Sequence, residues 1–164
     1  MNEPADGPFR LLFLCTGNTC RSPMAEVIAR RRASELGYDQ LEVRSAGVAA
    51  SDGASASVGA VRVAAEHGLD LTDHSSTLLT EEEATRADLI LTMSASQLMR
   101  VMELGRGDHT AMLTSFAGGT IEGLASGAIP DPVGGPDTEY EETFQVLDEL
   151  IERVLQRLGA VIAP

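Results

Sequence analysis

The chain has 164 residues, 43% of them hydrophobic, and a formal net charge of −13. That length suits one domain with a proper core, and that hydrophobic share excludes wholesale disorder. The acidic excess excludes bulk electrostatic binding to nucleic acid or an acidic membrane, and no apolar run approaches a membrane span.

Residues 1–8 read as a loose tail with no signal-peptide pattern, which leaves residues 9–164 as the domain and the cytoplasm as the expected compartment. There, the two cysteines Cys15 and Cys20 are expected to be reactive rather than structural. Leu11 to Leu14 is a short apolar run that predicts a buried strand ending at Cys15. The polar loop Thr16-Gly17-Asn18-Thr19-Cys20-Arg21 follows. Ser22 reads as the N-cap and Pro23 as the first position of a helix that runs to about Leu36 and stops at Gly37.

Strand, polar loop and helix N-terminus make a phosphate cradle, because the loop N–H groups can converge on an anion. Gly17 allows a positive φ or a close backbone approach. Cys15 stands at the rim, where a helix N-terminus and an arginine favour thiolate over thiol. Arg21 can grip two phosphate oxygens with its planar fork. A nucleophile, an anion clamp and a following Ser22 therefore lie within eight residues.

The rest alternates strands and helices. A strand is expected at about Leu41 to Arg44, then the small-residue turn Ser45-Ala46-Gly47. After an Ala/Gly/Ser-rich loop comes a helix from about Val58 to His67, and His67 reads as a surface histidine. Arg30-Arg31-Arg32 reads as a solvated helix face. Thr80 with Glu83 and Ser94 with Gln97 are capping boxes around the apolar strand ADLILTM, Ala87 to Met93. A weaker strand covers Thr110 to Leu113. Residues 114–136 show no periodicity, and a loop that long is usually functional. The final helix, from Asp137 as N-cap, carries the stripe Phe144, Leu147, Ile151, Val154, Leu155 and Leu158. The expected fold is a single α/β domain: a three-layer sandwich with a four-stranded parallel sheet, helices on both faces and the phosphate loop at its N-terminal end.

CTGNTCRSPMAE resembles the signature loop of the low-molecular-weight protein tyrosine phosphatases, with Ser45-Ala46-Gly47, His74 and Asp131-Pro132 as further matches. Thr19 most resembles the protein-arginine phosphatase branch. The resemblance implies Cys15, Arg21 and Asp131 as catalytic residues, and Thr16, Gly17, Asn18, Thr19, Cys20 and Ser22 as the phosphate-binding loop. It implies that Ser45 and Asn18 brace that loop and that His74 helps orient it. It also implies attack by Cys15 on phosphorus, with Asp131 first as acid and then as base. Family members usually carry Arg three residues after that histidine; here it is Thr77.

Phosphorylated proteins are the expected partners, with no metal and no cofactor. Proximity of Cys15 and Cys20 suggests a reversible disulfide that protects Cys15. Three alternatives stand beside the arginine reading: a tyrosine phosphatase, an arsenate reductase using an external thiol, and a non-catalytic phosphate-binding regulatory module.

Overall fold

In the computed structural model, which describes residues 7–118 and 127–162, four parallel strands run in the order β2-β1-β3-β4. They are β1 (Phe9–Cys15), β2 (Leu41–Gly47), β3 (Leu89–Thr92) and β4 (Thr110–Met112). The helices are α1 (Arg21–Leu36), α2 (Val58–Glu66), α3 (Glu81–Arg86), α4 (Ala95–Glu103), α5 (Leu113–Ala117) and α6 (Asp137–Ile162).

The period of two in β1 divides the core. Leu11, Phe13 and Cys15 face one apolar layer with residues of α1, α2, α5 and α6. Leu12 and Leu14 face the other, with Ala84 of α3 and Val101 of α4. This is the expected three-layer α/β sandwich. The α6 stripe is buried as predicted, joined by Tyr140, Thr143, Leu150 and Ile162. Strand order reverses at β1, and ligands in such sheets sit where that happens, beyond the carboxyl ends of the strands. Among the described residues, no helix is long and apolar enough to cross a membrane.

Five local expectations change. Helix α1 starts at Arg21 with Cys20 as its N-cap, so Ser22 lies inside the first turn, where its hydroxyl makes other contacts. The Gly37 stop is as expected, at φ 73°. Strand β2 continues through Ser45-Ala46-Gly47 instead of turning there, because this stretch pairs in register with Phe13 to Cys15. Helix α5 occupies the start of the supposed structureless segment; residues 119–126 of that expectation lie outside the described residues. Arg30, Arg31 and Arg32 of α1 are braces. Arg30 donates to Val43 O, Arg31 to His67 O, and Arg32 pairs with Asp148 at 2.7 Å.

His67 is likewise no isolated surface residue. Its ring stacks on Phe144 with centroids 4.1 Å apart, and Nε2 lies 3.0 Å from both carboxylate oxygens of Glu141. This ties α2 to α6. Hydrogen bonds from Gln145 and His67 hold the Glu141 carboxyl below its ordinary value. A depressed carboxyl adds stability above its unfolded-state pKa and loses it as pH falls through the folded value. Glu141→Gln should therefore lower stability at neutrality and change little in strongly acidic solution, flattening the loss of stability as pH falls below about 4.5, as urea titrations across pH would read.

Gly47 is fixed by close approach. A Cβ there would lie 2.5 Å from Thr16 O and 2.9 Å from Asn18 N, both backbone atoms of the loop after Cys15. Gly47→Ala should leave the chain folded but displace that loop. We expect turnover of an aryl phosphate to fall by about 100-fold with little change in melting temperature.

Candidate active site

Cys15 ends β1, and its Sγ lies 2.8 Å from Ser22 Oγ and accepts the Asn18 N–H at 3.3 Å. With the sulfur as thiolate, Ser22 is necessarily the donor. Strand and helix thus place a hydroxyl and a loop amide on the same sulfur.

Asn18 sets the shape of the loop. It is the one non-glycine residue with positive φ among the described residues, at 56°, and it is fully buried. Asn tolerates this conformation better than most residues, so the strained position falls on Asn18 and not on Gly17. Asn18 Nδ2 donates to Ser22 Oγ at 2.8 Å and to Ser45 Oγ at 2.9 Å. Its Oδ1 accepts the Thr77 N–H at 2.9 Å. His74 Nε2 donates to the Asn18 carbonyl at 2.7 Å, which assigns the proton to that nitrogen. Thr77 therefore supports the loop through its backbone, a contact that any side chain permits.

Arg21 is 7% exposed, and Nη1 donates to Ile129 O at 3.0 Å. Nη2 lies 3.6 Å from Asp131 Oδ2. Asp131 is the open partner, while its Oδ1 accepts the Val133 N–H at 3.1 Å and folds the turn. Ile129 also donates its N–H to Met93 O, just past the end of β3. The segment carrying Asp131 is thereby hung between β3 and Arg21.

Cys20 points elsewhere. Its Sγ donates to Ser57 Oγ at 3.1 Å and lies 3.6 Å from Tyr140 OH, which itself donates to Ser57 Oγ. Burial raises the Tyr140 pKa, the Ser57 hydrogen bond opposes this, and Cys20 and Asp131 push it further up. The Ser57 N–H donates to Thr19 O. Both cysteines are free thiols. Thr16 is exposed, and Gly17 and Thr19 are half-buried.

The structure brings Cys15, Asn18, Ser22, Ser45 and His74 into one hydrogen-bonded cluster and sets Arg21 beside Asp131. Sequence reasoning missed Ile129, Ser57, Tyr140 and Gln97. Ser57 carried a signal, a serine immediately before a helix. Gln97 carried half of one, since its capping role was visible and its contact with Thr16 Oγ1 was not. Among the described residues, no group of three or more His, Cys, Asp or Glu side chains could hold a metal ion.

Residues 10–162 match the sequence model of the family described as low molecular weight phosphotyrosine protein phosphatase. A protein-arginine-phosphatase of Geobacillus stearothermophilus is 37% identical over 153 residues, covering 92% of this chain and 97% of its own. A probable low molecular weight protein-tyrosine-phosphatase of Ralstonia nicotianae, EpsP, is 33% identical over 152 residues, covering 92% and 97%. The solved structure of a YwlE arginine phosphatase mutant with a phosphorylated active-site serine has a TM-score of 0.86 at 35% identity, covering 93% of this chain and 97% of that one. Match, likeness and site agree: this chain belongs to the low molecular weight phosphotyrosine protein phosphatase family and is a cysteine-based protein phosphatase, a hydrolase.

Proposed function

We propose that this chain is a protein-arginine phosphatase of the cytoplasm, with Cys15 as nucleophile, Arg21 as phosphate clamp and Asp131 as acid and base. One arrangement carries the reading: a sulfur hydrogen-bonded by Ser22 and Asn18 at the end of β1, with Arg21 at the end of the same loop facing Asp131 from the segment before α6.

The Cys15 thiolate attacks phosphorus, and the bond to the leaving nitrogen breaks as Asp131 gives it a proton. The loop amides of residues 16–22 and the Arg21 fork hold the phosphoryl oxygens as charge builds. Asp131, now a carboxylate, takes a proton from water. The water attacks the cysteinyl phosphate, releasing inorganic phosphate and the Cys15 thiolate. Ser45 and His74 keep Asn18, and through it the loop, in shape.

The preference for phosphoarginine rests on Thr19 and on the residues after Asp131-Pro132. Val133-Gly134-Gly135 offers no ring to stack on a phenyl group, and Tyr140 spends its hydroxyl on Ser57 beneath the loop. A polar Thr19 suits a guanidinium rich in N–H donors. A guanidine is also a strongly basic leaving group that needs its proton from Asp131. The relative named as a protein-arginine-phosphatase supports the same reading.

Competing phosphoarginine and phosphotyrosine peptides test it on native, Thr19→Ile and Asp131→Asn forms. Native protein should favour phosphoarginine. Thr19→Ile should shift the ratio toward phosphotyrosine by about 10-fold or more. Asp131→Asn should slow both peptides more than an activated aryl phosphate. A native preference for phosphotyrosine would replace this reading with the tyrosine-phosphatase one.

A second property arises from the two free thiols. Peroxide oxidises the Cys15 thiolate to a sulfenic acid; the Cys20 thiol then attacks that sulfur, and water leaves as the disulfide forms. Mild peroxide should give reversible inactivation with a Cys15–Cys20 crosslink in peptide mass spectra, and its absence from the inactivated protein would sink the idea.

A further inference from the structure

Gln97, on α4, is 1% exposed, and every polar atom of its amide has a partner. Oε1 accepts two backbone N–H groups, Met93 at 2.8 Å and Ser94 at 3.0 Å. Two donors on one atom fix which end of the amide is oxygen, so the other end, Nε2, is what meets Thr16 Oγ1 at 3.2 Å. An amide nitrogen only donates. Thr16 Oγ1 therefore accepts from Gln97 and keeps its own hydrogen for another acceptor. Thr16 directly follows Cys15, and it is the exposed residue of the loop Thr16 to Cys20, in which Gly17 and Thr19 are half-buried and Asn18 and Cys20 buried.

A hydroxyl that accepts one hydrogen bond becomes a stronger donor in the next. We propose that Thr16 is a further catalytic residue, its hydroxyl donating to an oxygen of the phosphoryl group during transfer to Cys15, with Gln97 as the positioning residue that keeps that hydrogen turned to the substrate. Strand β3 thereby acts on the phosphate loop. The residues just past its end, Met93 and Ser94, lock Gln97, which sets the polarity of Thr16. This deepens the reading of residues 15–22 as a phosphoryl cradle and is independent of the leaving group, because phosphoryl oxygens are common to every substrate.

The test uses aryl phosphate turnover and inhibition by inorganic phosphate, with melting temperature read alongside. Thr16→Val removes the hydroxyl at nearly constant volume. It should lower kcat/KM about tenfold and weaken phosphate inhibition several-fold, while Thr16→Ser retains most of both. Gln97→Glu keeps an oxygen for the Met93 and Ser94 N–H groups, and so keeps the start of α4. Its carboxylate can no longer donate and turns the Thr16 hydrogen inward. Activity should fall to about the Thr16→Val level at an unchanged melting temperature. The double variant should be no lower than Thr16→Val alone, because both changes remove one bond.

Thr16→Val within about twofold of native would overturn the proposal. So would a double variant far below Thr16→Val, since the new charge would then be acting by itself. Cys15→Ser separates this from the larger reading: substantial turnover in that variant would overturn the cradle itself, whatever Thr16 does.

Discussion

The site depends on one residue held in an unfavourable backbone conformation. The left-handed conformation of Asn18 costs on the order of 1 kcal/mol, less for Asn than for most residues. Against this stand the bonds of its side chain to Ser22, Ser45 and Thr77, and the His74 bond to its carbonyl, each worth roughly 1 kcal/mol net. The surplus makes the loop a fixed object before any anion arrives. It also explains why its supports come from three places in the chain: α1, the end of β2 and the segment before α3. None of these elements can shift without turning Asn18, and Asn18 carries the N–H that meets the Cys15 sulfur.

The same logic links the two halves of the site. Arg21 belongs to the phosphate loop, yet its Nη1 holds the carbonyl of Ile129 and its Nη2 faces Asp131. The opposite side of Ile129 is held by Met93 at the end of β3. Two neighbouring strands thus position Cys15 from β1 and the Asp131 segment from β3, and a single guanidinium spans the gap. Cys20 is held on the other side, by Ser57 and Tyr140, so the two thiols of the loop have separate environments despite their closeness in sequence.

Features that depend on local pattern were legible in the sequence. The apolar run before Cys15 and the ADLILTM strand announce a sheet buried on both faces by being continuous, and the α6 stripe announces its layer because helical periodicity is set by burial of one face. The polar stretch between Cys15 and Arg21 announced a tight loop between strand and helix for the same local reason. Contacts between distant segments left no such trace. Nothing near His67 in sequence signals Phe144 and Glu141, since α2 meets α6 only after the core has closed. Gln97 reads as an ordinary cap residue, and its second contact, with Thr16, crosses 81 positions. Ser22 misled in the opposite direction. Ser before Pro is a standard helix start, but here the helix begins at Arg21 and the hydroxyl is drawn to Cys15, Asn18 and Ala46 instead.

A chain carrying −13 and organised to hold phosphate is no contradiction once its cations are traced. All twelve are arginines. Among the described residues, every one but Arg86 holds a carboxylate or a backbone carbonyl, so most act as braces between elements. Beyond a Debye length of about 8 Å the surface carboxylates are largely screened from the site. Arg21 differs from the other braces in its burial. The residue is 7% exposed, so its attraction for an anion is far less diluted by solvent than that of a surface arginine. One guanidinium donor is committed to Ile129 O, and the carboxylate opposite is Asp131, which the proposed reaction protonates and deprotonates in turn. In the proposed reading, phosphate affinity is therefore a local property of one buried guanidinium and the loop amides, and the sign of the whole surface has little bearing on it.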